Sequence, residues 1–405
     1  MEKPKIRFKS FEKRWESYRL SEYSNYRRGS FPQPYGNKEW YGGDDAMPFV
    51  QVVDVLENLR LVSDTKQKIS TLAQPMSVFV PPDSVIVTLQ GSIGRVAITQ
   101  YDAYVDRTIL IFEDYISQTN KEFWAYTIRN KFEIERQKAP GGTIKTITKE
   151  ALSDFKVSIP NYSEQSSIGS LFRNLDDLLA SYKDNLANYQ SLKATMLSKM
   201  FPKAGQTVPE IRLDGFEGEW ELLEVNDLAD DFQSGGTPKT NVQEYWDGDI
   251  PWIQSSDLET NCLFEIKVQK SISEKGLKNS SAKIIPKDSI AVVTRVGVGK
   301  LAVMRHEYAT SQDFLSLSNL KSNIEFTAYL LYRLLQKEIA QLQGTSIKGI
   351  TKVELLSKKV LIPSLTEQQA VGSYFSNLDN LINSHQEKIS QLETLKKKLL
   401  QDMFI

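Results

Sequence analysis

Val157-Ser158-Ile159-Pro160, followed by Glu164, Gln165, Gly169, Phe172, Asn174, Leu175 and Asp176, is a stretch that the chain writes twice. The second copy is Val360-Leu361-Ile362-Pro363, followed by Glu367, Gln368, Gly372, Phe375, Asn377, Leu378 and Asp379. The shift is 203 residues, kept without a gap to Met200-Phe201 and Met403-Phe404. After each Ile-Pro pair, apolar positions recur in alternating threes and fours. They are Phe172, Leu175, Leu179, Tyr182, Leu186, Tyr189 and then Met196 in the first copy. In the second they are Phe375, Leu378, Ile382, His385, Ile389, Leu392 and then Leu399. This is the heptad seam of a long helix. Ser163 and Thr366 are the expected N-caps, each followed by a glutamate whose charge suits a helix start, and Thr366 with Gln369 reads as a capping box. About 36 residues per helix would give a rod of roughly 54 Å.

A seam needs a partner. The two helices are copies of each other, so the economical pairing is antiparallel, about a pseudo-two-fold axis, with one globular domain at each end of the rod. A pseudo-symmetric protein of this kind suits a target with two parts.

The duplication extends outward from the helices. Pro4, Ile6, Arg7, Phe11, Trp15 and Glu16 recur as Pro209, Ile211, Arg212, Phe216, Trp220 and Glu221. Pro48, Gln51 and Asp54 recur as Pro251, Gln254 and Asp257. Pro81, Asp83, Ser84, Gly94 and Ala97 recur as Pro286, Asp288, Ser289, Gly299 and Ala302. A period near 200 residues is too long for a solenoid, whose repeats run to about 20–50 residues. Runs rich in β-branched residues and bordered by turns predict strands over 78–80, 85–89, 96–99 and 108–112, and over 290–293 and 301–304. Residues 122–136 and 326–342 read as helices. The expected fold is α/β (α+β), duplicated, with each globular domain followed by a long helix and the two helices paired as an antiparallel coiled coil. The domains are placed at 1–155 and 206–357, the first helix with its linker at 156–205 and the second helix at 358–405.

Composition excludes several functions. The chain has 405 residues, 40% of them hydrophobic, and a net charge of −1. No apolar run is long enough for a membrane span. The charged start lacks a signal core, so a cytoplasmic location is expected. Cys262 is the sole cysteine, which rules out an internal disulfide and argues against a thiolate metal site. His306 reads as a surface residue and His385 as seam packing. There is no GxGxxG, P-loop, HExxH or CxxC pattern. Catalytic, cofactor-binding and metal-binding residues are therefore all expected to be absent. The near-neutral balance argues mildly against coating nucleic acid by bulk charge.

The candidate contact residues lie in loops. Gln90-Gly91-Ser92-Ile93-Gly94-Arg95 and Arg295-Val296-Gly297-Val298-Gly299-Lys300 each join two predicted strands. Glycine lets backbone approach a target closely. Arg and Gln can make paired contacts to guanine and adenine edges. Gln90, Ser92 and Arg295 are candidates for base contact, while Arg95 and Lys300 read as scaffold or phosphate contacts. Arg27 and Arg28, with Tyr23, Tyr26, Phe31 and Tyr35, form either a basic–aromatic patch or a surface loop over a small core. Gln254 and Ser255 follow a strand and could point into a groove. Lys145 and Lys348 lie in turns before the rods, within reach of phosphate. The run Lys396-Lys397-Lys398 reads as a solvated helix face.

Pro251-Trp252-Ile253, Gly344-Thr345-Ser346-Ile347-Lys348-Gly349-Ile350-Thr351, and Ile362-Pro363 through Glu367-Gln368-Gln369 have counterparts in the first half. Together they make the chain similar to the specificity subunits of type I restriction–modification systems. The resemblance covers nearly the whole chain. It implies two target-recognition domains that read a bipartite double-stranded DNA site, one half-site each, without catalysis. It further implies partners: methylation subunits, expected in two copies, that bind S-adenosylmethionine, and restriction subunits that use ATP and Mg. The seam residues Phe172, Leu175, Leu179, Tyr182 and Leu186, with Phe375, Leu378, Ile382, Ile389 and Leu392, would form the coiled coil or meet those partners. The first half departs from the second at Met47-Pro48-Phe49 and Ala139-Pro140-Gly141. A duplicated coiled-coil adaptor that binds two proteins and no DNA is the alternative, and the near-neutral charge favours it. If the halves read different half-sites, shared residues cannot alone set the sequence read. Base contacts are then expected where the copies diverge, at 24–35, 56–73, 90–92, 259–281, 295–297 and 306–313.

Overall fold

The computed structural model describes residues 4–138, 152–341 and 349–404. The chain divides into two compact units, Met1–Lys183 with Glu387–Ile405, and Asp184–Gln386.

In unit one the chain runs through β1 (Glu16–Arg19), α1 (Leu20–Tyr23), β2 (Ser24–Arg28), β3 (Met47–Val50), β4 (Gln67–Ile69), β5 (Val78–Val80), β6 (Val85–Thr88), β7 (Val96–Ile98), β8 (Ala103–Val105), β9 (Ile109–Tyr115), α2 (Lys121–Lys138) and β10 (Lys156–Ile159). It then enters the long helix α3 (Tyr162–Lys199). One four-stranded sheet has the order β2-β9-β6-β7, a second has the order β4-β3-β8-β5, and β1 pairs with β10 in a two-stranded sheet of its own. Every pair is antiparallel except β3 with β8. All four residues of β6 are buried, as its continuous β-branched run requires. Trp124, Tyr23, Phe112 and Phe172 share one core with the seam residues Leu175 and Leu179.

Unit two repeats this plan with β11 (Glu221–Glu224), β12 (Ala229–Ser234), β13 (Trp246–Ile253), β14 (Lys270–Ile272), α4 (Glu274–Lys278), β15 (Ser289–Val293), β16 (Leu301–Met304), β17 (Ala309–Thr310), β18 (Phe314–Leu320), α5 (Ile324–Gln341), α6 (Lys352–Leu356), β19 (Lys359–Ile362) and the helix α7 (Leu365–Met403). The sheets are β12-β18-β15-β16, β14-β13-β17 and the two-stranded β11-β19. The counterpart of β5 shrinks to the single bridge Ile285–Tyr308.

The repeated Glu-Gln-x3-Gly signature now has a physical account. In unit one Arg7 grips Glu164 with two bonds, of 2.6 and 2.7 Å, and the Trp15 indole donates to the same carboxylate. In unit two Arg212 grips Glu367 with two bonds of 2.8 Å. Gln165 Nε2 donates to the Pro160 carbonyl while its Oε1 accepts from Asn120 N–H. Gln368 does the same with Pro363 and Asn323. A Cβ on Gly169 would lie 2.4 Å from Asn120 Oδ1, and one on Gly372 would lie 2.7 Å from Asn323 Oδ1. Glycine is therefore required where each long helix crosses the start of α2 or α5.

The helix starts lie earlier than expected. Asn161 Oδ1 accepts from Glu164 N–H at 3.0 Å, and Ser364 Oγ accepts from Glu367 N–H at 3.4 Å. These residues, not Ser163 and Thr366, take the cap position. Tyr162 and Leu365 lie outside the apolar seam, so the periodic pattern begins after the helix does.

Antiparallel pairing is visible inside each unit. In unit one Phe172 meets Phe404 at 5.6 Å, Lys396 Nζ donates to Asp176, and Lys183 bonds Glu393 at 2.6 Å. In unit two Tyr189 meets His385 at 5.2 Å, Lys193 Nζ donates to Asp379, and Phe201 stacks on Phe375 at 6.0 Å. Partner numbers fall as those of α3 rise. The seam residues Phe172, Leu175, Leu179, Phe375, Leu378, Ile382 and Leu392 are buried, and Tyr182, Leu186 and Ile389 are half-buried.

Lys396 is not on a solvated face. It is 9% exposed, and burial pulls its ammonium below the ordinary lysine value even beside Asp176. Lys193 and Lys396 are copies of one another, and both interrupt the apolar seam. Each lysine meets an aspartate that is also bonded by a tyrosine hydroxyl, Tyr126 for Asp176 and Tyr329 for Asp379. Burial, reinforced by the neighbouring carboxylate, pushes both phenols well above the tyrosine range.

Candidate nucleic-acid interface

Three turns converge at one edge of each unit. In unit one they are residues 51–54 after β3, residues 89–95 between β6 and β7, and residues 106–108 between β8 and β9. Their geometry is set by short-range chemistry. Asp54 Oδ2 accepts from Gln51 N–H at 2.8 Å and closes the first turn. Asp106 Oδ1 accepts from Thr108 N–H at 2.9 Å and closes the third. The second loop needs positive φ at Gly91 and Gly94, and a Cβ at Gly94 would lie 2.8 Å from Phe132 Cβ. Leu89 N–H donates to Thr108 O at 2.8 Å, which ties the second turn to the third.

Unit two builds the same edge with different tips. Gln254 N–H donates to Asp257 Oδ2 at 3.1 Å. Thr294 N–H donates to Asp313 O at 2.7 Å. Gly349, at φ 112°, passes 2.8 Å from Thr294 O when measured from an added Cβ. The chain after α5 therefore returns beside Arg295.

The candidate residues divide into two groups. Gln90, Ser92 and Arg295 are exposed at loop tips. Gln254 and Ser255 are half-buried at the neighbouring turn. Arg95 and Lys300, by contrast, turn inward. Arg95 Nη1 donates to Val55 O at 3.4 Å, and Lys300 Nζ donates to Ser255 O and Leu258 O at 3.3 and 2.7 Å. Both staple the glycine loop to the turn beside it.

Arg27 and Arg28 are exposed, and Arg27 is paired with Glu113 at 2.6 Å. The aromatics beside them pack within the protein to different depths, with Tyr26 and Tyr35 only partly buried. Tyr23 lies in the main core, and Phe31 is sandwiched with Tyr35, Tyr41 and Phe49 in a small core of its own. Tyr35 donates its hydroxyl to Asp106 and is pushed far up by burial and by that carboxylate. Lys145 and Lys348 lie outside the described residues. Among the described residues no cluster of His, Cys, Asp and Glu could hold a metal ion, and no helix is long and apolar enough to cross a membrane.

A family model described as the type I restriction modification DNA specificity domain matches residues 12–188 and again 217–394. The chain belongs to that family.

Specificity subunits are among its curated relatives. The MjaIX specificity subunit of Methanocaldococcus jannaschii is 28% identical over 194 residues, 46% of this chain and 44% of that one. The MjaVIII specificity subunit of the same organism is 20% identical over 404 residues, 95% of this chain and 91% of that one. The EcoR124I/EcoR124II specificity subunit of Escherichia coli is 28% identical over 190 residues, 45% of this chain and 46% of that one. The match to the MjaIX subunit spans less than half of that protein's length, and the match to the putative MjaX subunit spans 60% of its length. In fold the chain is similar to the crystal structure of the type I restriction–modification S subunit from M. genitalium, with a TM-score of 0.64 at 14% identity over 100% of this chain and 99% of that one. A second structure, from work on complex assembly of the type I system, gives a TM-score of 0.54 at 16% identity over 96% of this chain and 97% of that one.

Proposed function

We propose that this specificity-family chain reads a bipartite double-stranded DNA site, one half-site per unit, and brings partner subunits to it without itself catalysing a reaction. The observation that carries this reading is the family match in both halves, on two copies of one frame whose exposed tips differ. A shared frame suits contacts made at any sequence, and differing tips suit two unlike half-sites. The partners fitting this role are two methylation subunits, which bring S-adenosylmethionine, and restriction subunits, which bring ATP and Mg. A cytoplasmic location suits the same role.

Two experiments test this. The purified chain alone, given labelled S-adenosylmethionine and DNA, should transfer no methyl group, whereas the chain with a methylation subunit should modify DNA at a two-part site. Incorporation by the pure chain would overturn the non-catalytic role, and a complex that modifies no preferred site would overturn the reading role. Exchanging residues 210–355 for those of a relative should change one half-site only. A change in both would show that the units read jointly.

A further inference from the structure

Residues 90 and 107, one residue beyond the hydrogen bond from Leu89 N–H to Thr108 O, sit at the tips of adjoining turns. In unit two the bond from Thr294 N–H to Asp313 O brings Arg295 and Gln312 to the same two places. The register agrees. Thr88 pairs with Ile109 and Val293 with Phe314, so Gln90 faces Arg107 and Arg295 faces Gln312 when each ladder is extended by two residues. All four side chains are exposed. Unit one thus presents a carboxamide on the 89–95 turn and a guanidinium on the 106–108 turn, and unit two carries the same two groups exchanged.

We infer that Arg107 and Gln312 are specificity-determining residues, each working beside the tip residue it faces, so that each unit offers one guanidinium and one carboxamide to neighbouring base edges. The inference rests on the DNA-reading role proposed above. An arginine matches the O6 and N7 acceptors of guanine, and a glutamine matches the N6 donor and N7 acceptor of adenine. Neither residue closes its own turn, since Ser311 Oγ accepts from Asp313 N–H in unit two. The turn at 107 is closed by Asp106, and where the frame does need a basic residue both copies keep one, as at Arg95 and Lys300. Neither side chain is a free rotor. The Arg107 guanidinium lies 5.1 Å from the centre of the Tyr35 ring, and the Thr237 hydroxyl donates to Gln312 Oε1 at 2.5 Å. Side chains held this way lose less freedom when they meet a base.

The test uses the full chain with its methylation subunit and a DNA pool in which both half-sites are randomised. Arg107→Gln should weaken a guanine preference at one position of one half-site by about tenfold or more. Gln312→Arg should do the same to an adenine preference in the other half-site. In each case the untouched half-site should keep its preferences, which shows that the variant is folded. Two outcomes overturn the inference while leaving the reading role intact. One is that both variants select the original site with unchanged preferences. The other is that they weaken all sequences alike with a shallower salt dependence, the mark of a phosphate contact. If the unsubstituted complex selects no site, the reading role itself falls and this inference falls with it.

Discussion

Asp379→Ala should destabilise unit two by about 3–5 kcal/mol, because it strands a buried ammonium. The Lys193 side chain is 9% exposed and that of Asp379 12%, so water cannot take over the role of the lost carboxylate. The Tyr329 hydroxyl, which donates to Asp379 at 2.6 Å, loses its acceptor in the same step. Removing both charges is a different matter. Lys193→Met with Asp379→Leu replaces the pair with apolar side chains that fit a heptad seam, and such replacements are often neutral or stabilising. If the double variant is as stable as the original chain, the pair serves register rather than net stability. An apolar seam alone could slide by one heptad, whereas the lysine must meet its aspartate. Denaturant titration of the single and double variants, followed by tryptophan fluorescence, measures both effects. A loss of less than about 1 kcal/mol in Asp379→Ala would mean that the ammonium finds water, and the register argument would fail.

Arg212→Ala should cost about 3 kcal/mol, at the low end of the range for breaking a buried pair. Glu367 is 2% exposed and loses both guanidinium bonds, while the N-terminus of α7 still offsets part of its charge. Arg212→Lys should recover little, since an ammonium cannot span both carboxylate oxygens. The exposed pair Lys275–Glu244, with both side chains more than half exposed, is the control and should change stability by under about 1 kcal/mol when removed. Equal losses from Arg212→Ala and Lys275→Ala would mean that the repeated clamp contributes no more than a surface pair.

The strands, the heptad seams and the duplication were legible because each is local chemistry repeated at a fixed spacing. β-Branched runs between turn residues gave β6, β15 and β16 nearly to their ends. The helix starts were read two residues late because Asn161 and Ser364 precede residues that the seam does not use. Glu164, Gln165 and Gly169 stood out as a repeat, but their work on Arg7, Asn120 and the α2 backbone depends on contacts across the fold.

Arg95 and Lys300 were recognisable as equivalent basic residues in glycine loops, yet only the turn packed beside them settled which way they point. Lys396 is the plainest case. In a run of three lysines at the end of an amphipathic helix, residue type and spacing describe a solvated face. Its carboxylate lies 220 residues away, and that of Lys193 lies 186 away. No local pattern carries that information. Periodicity alone specified two long amphipathic helices with one apolar seam each. Tertiary packing chose the register, because only folding brings each lysine to its aspartate in a place that water does not reach.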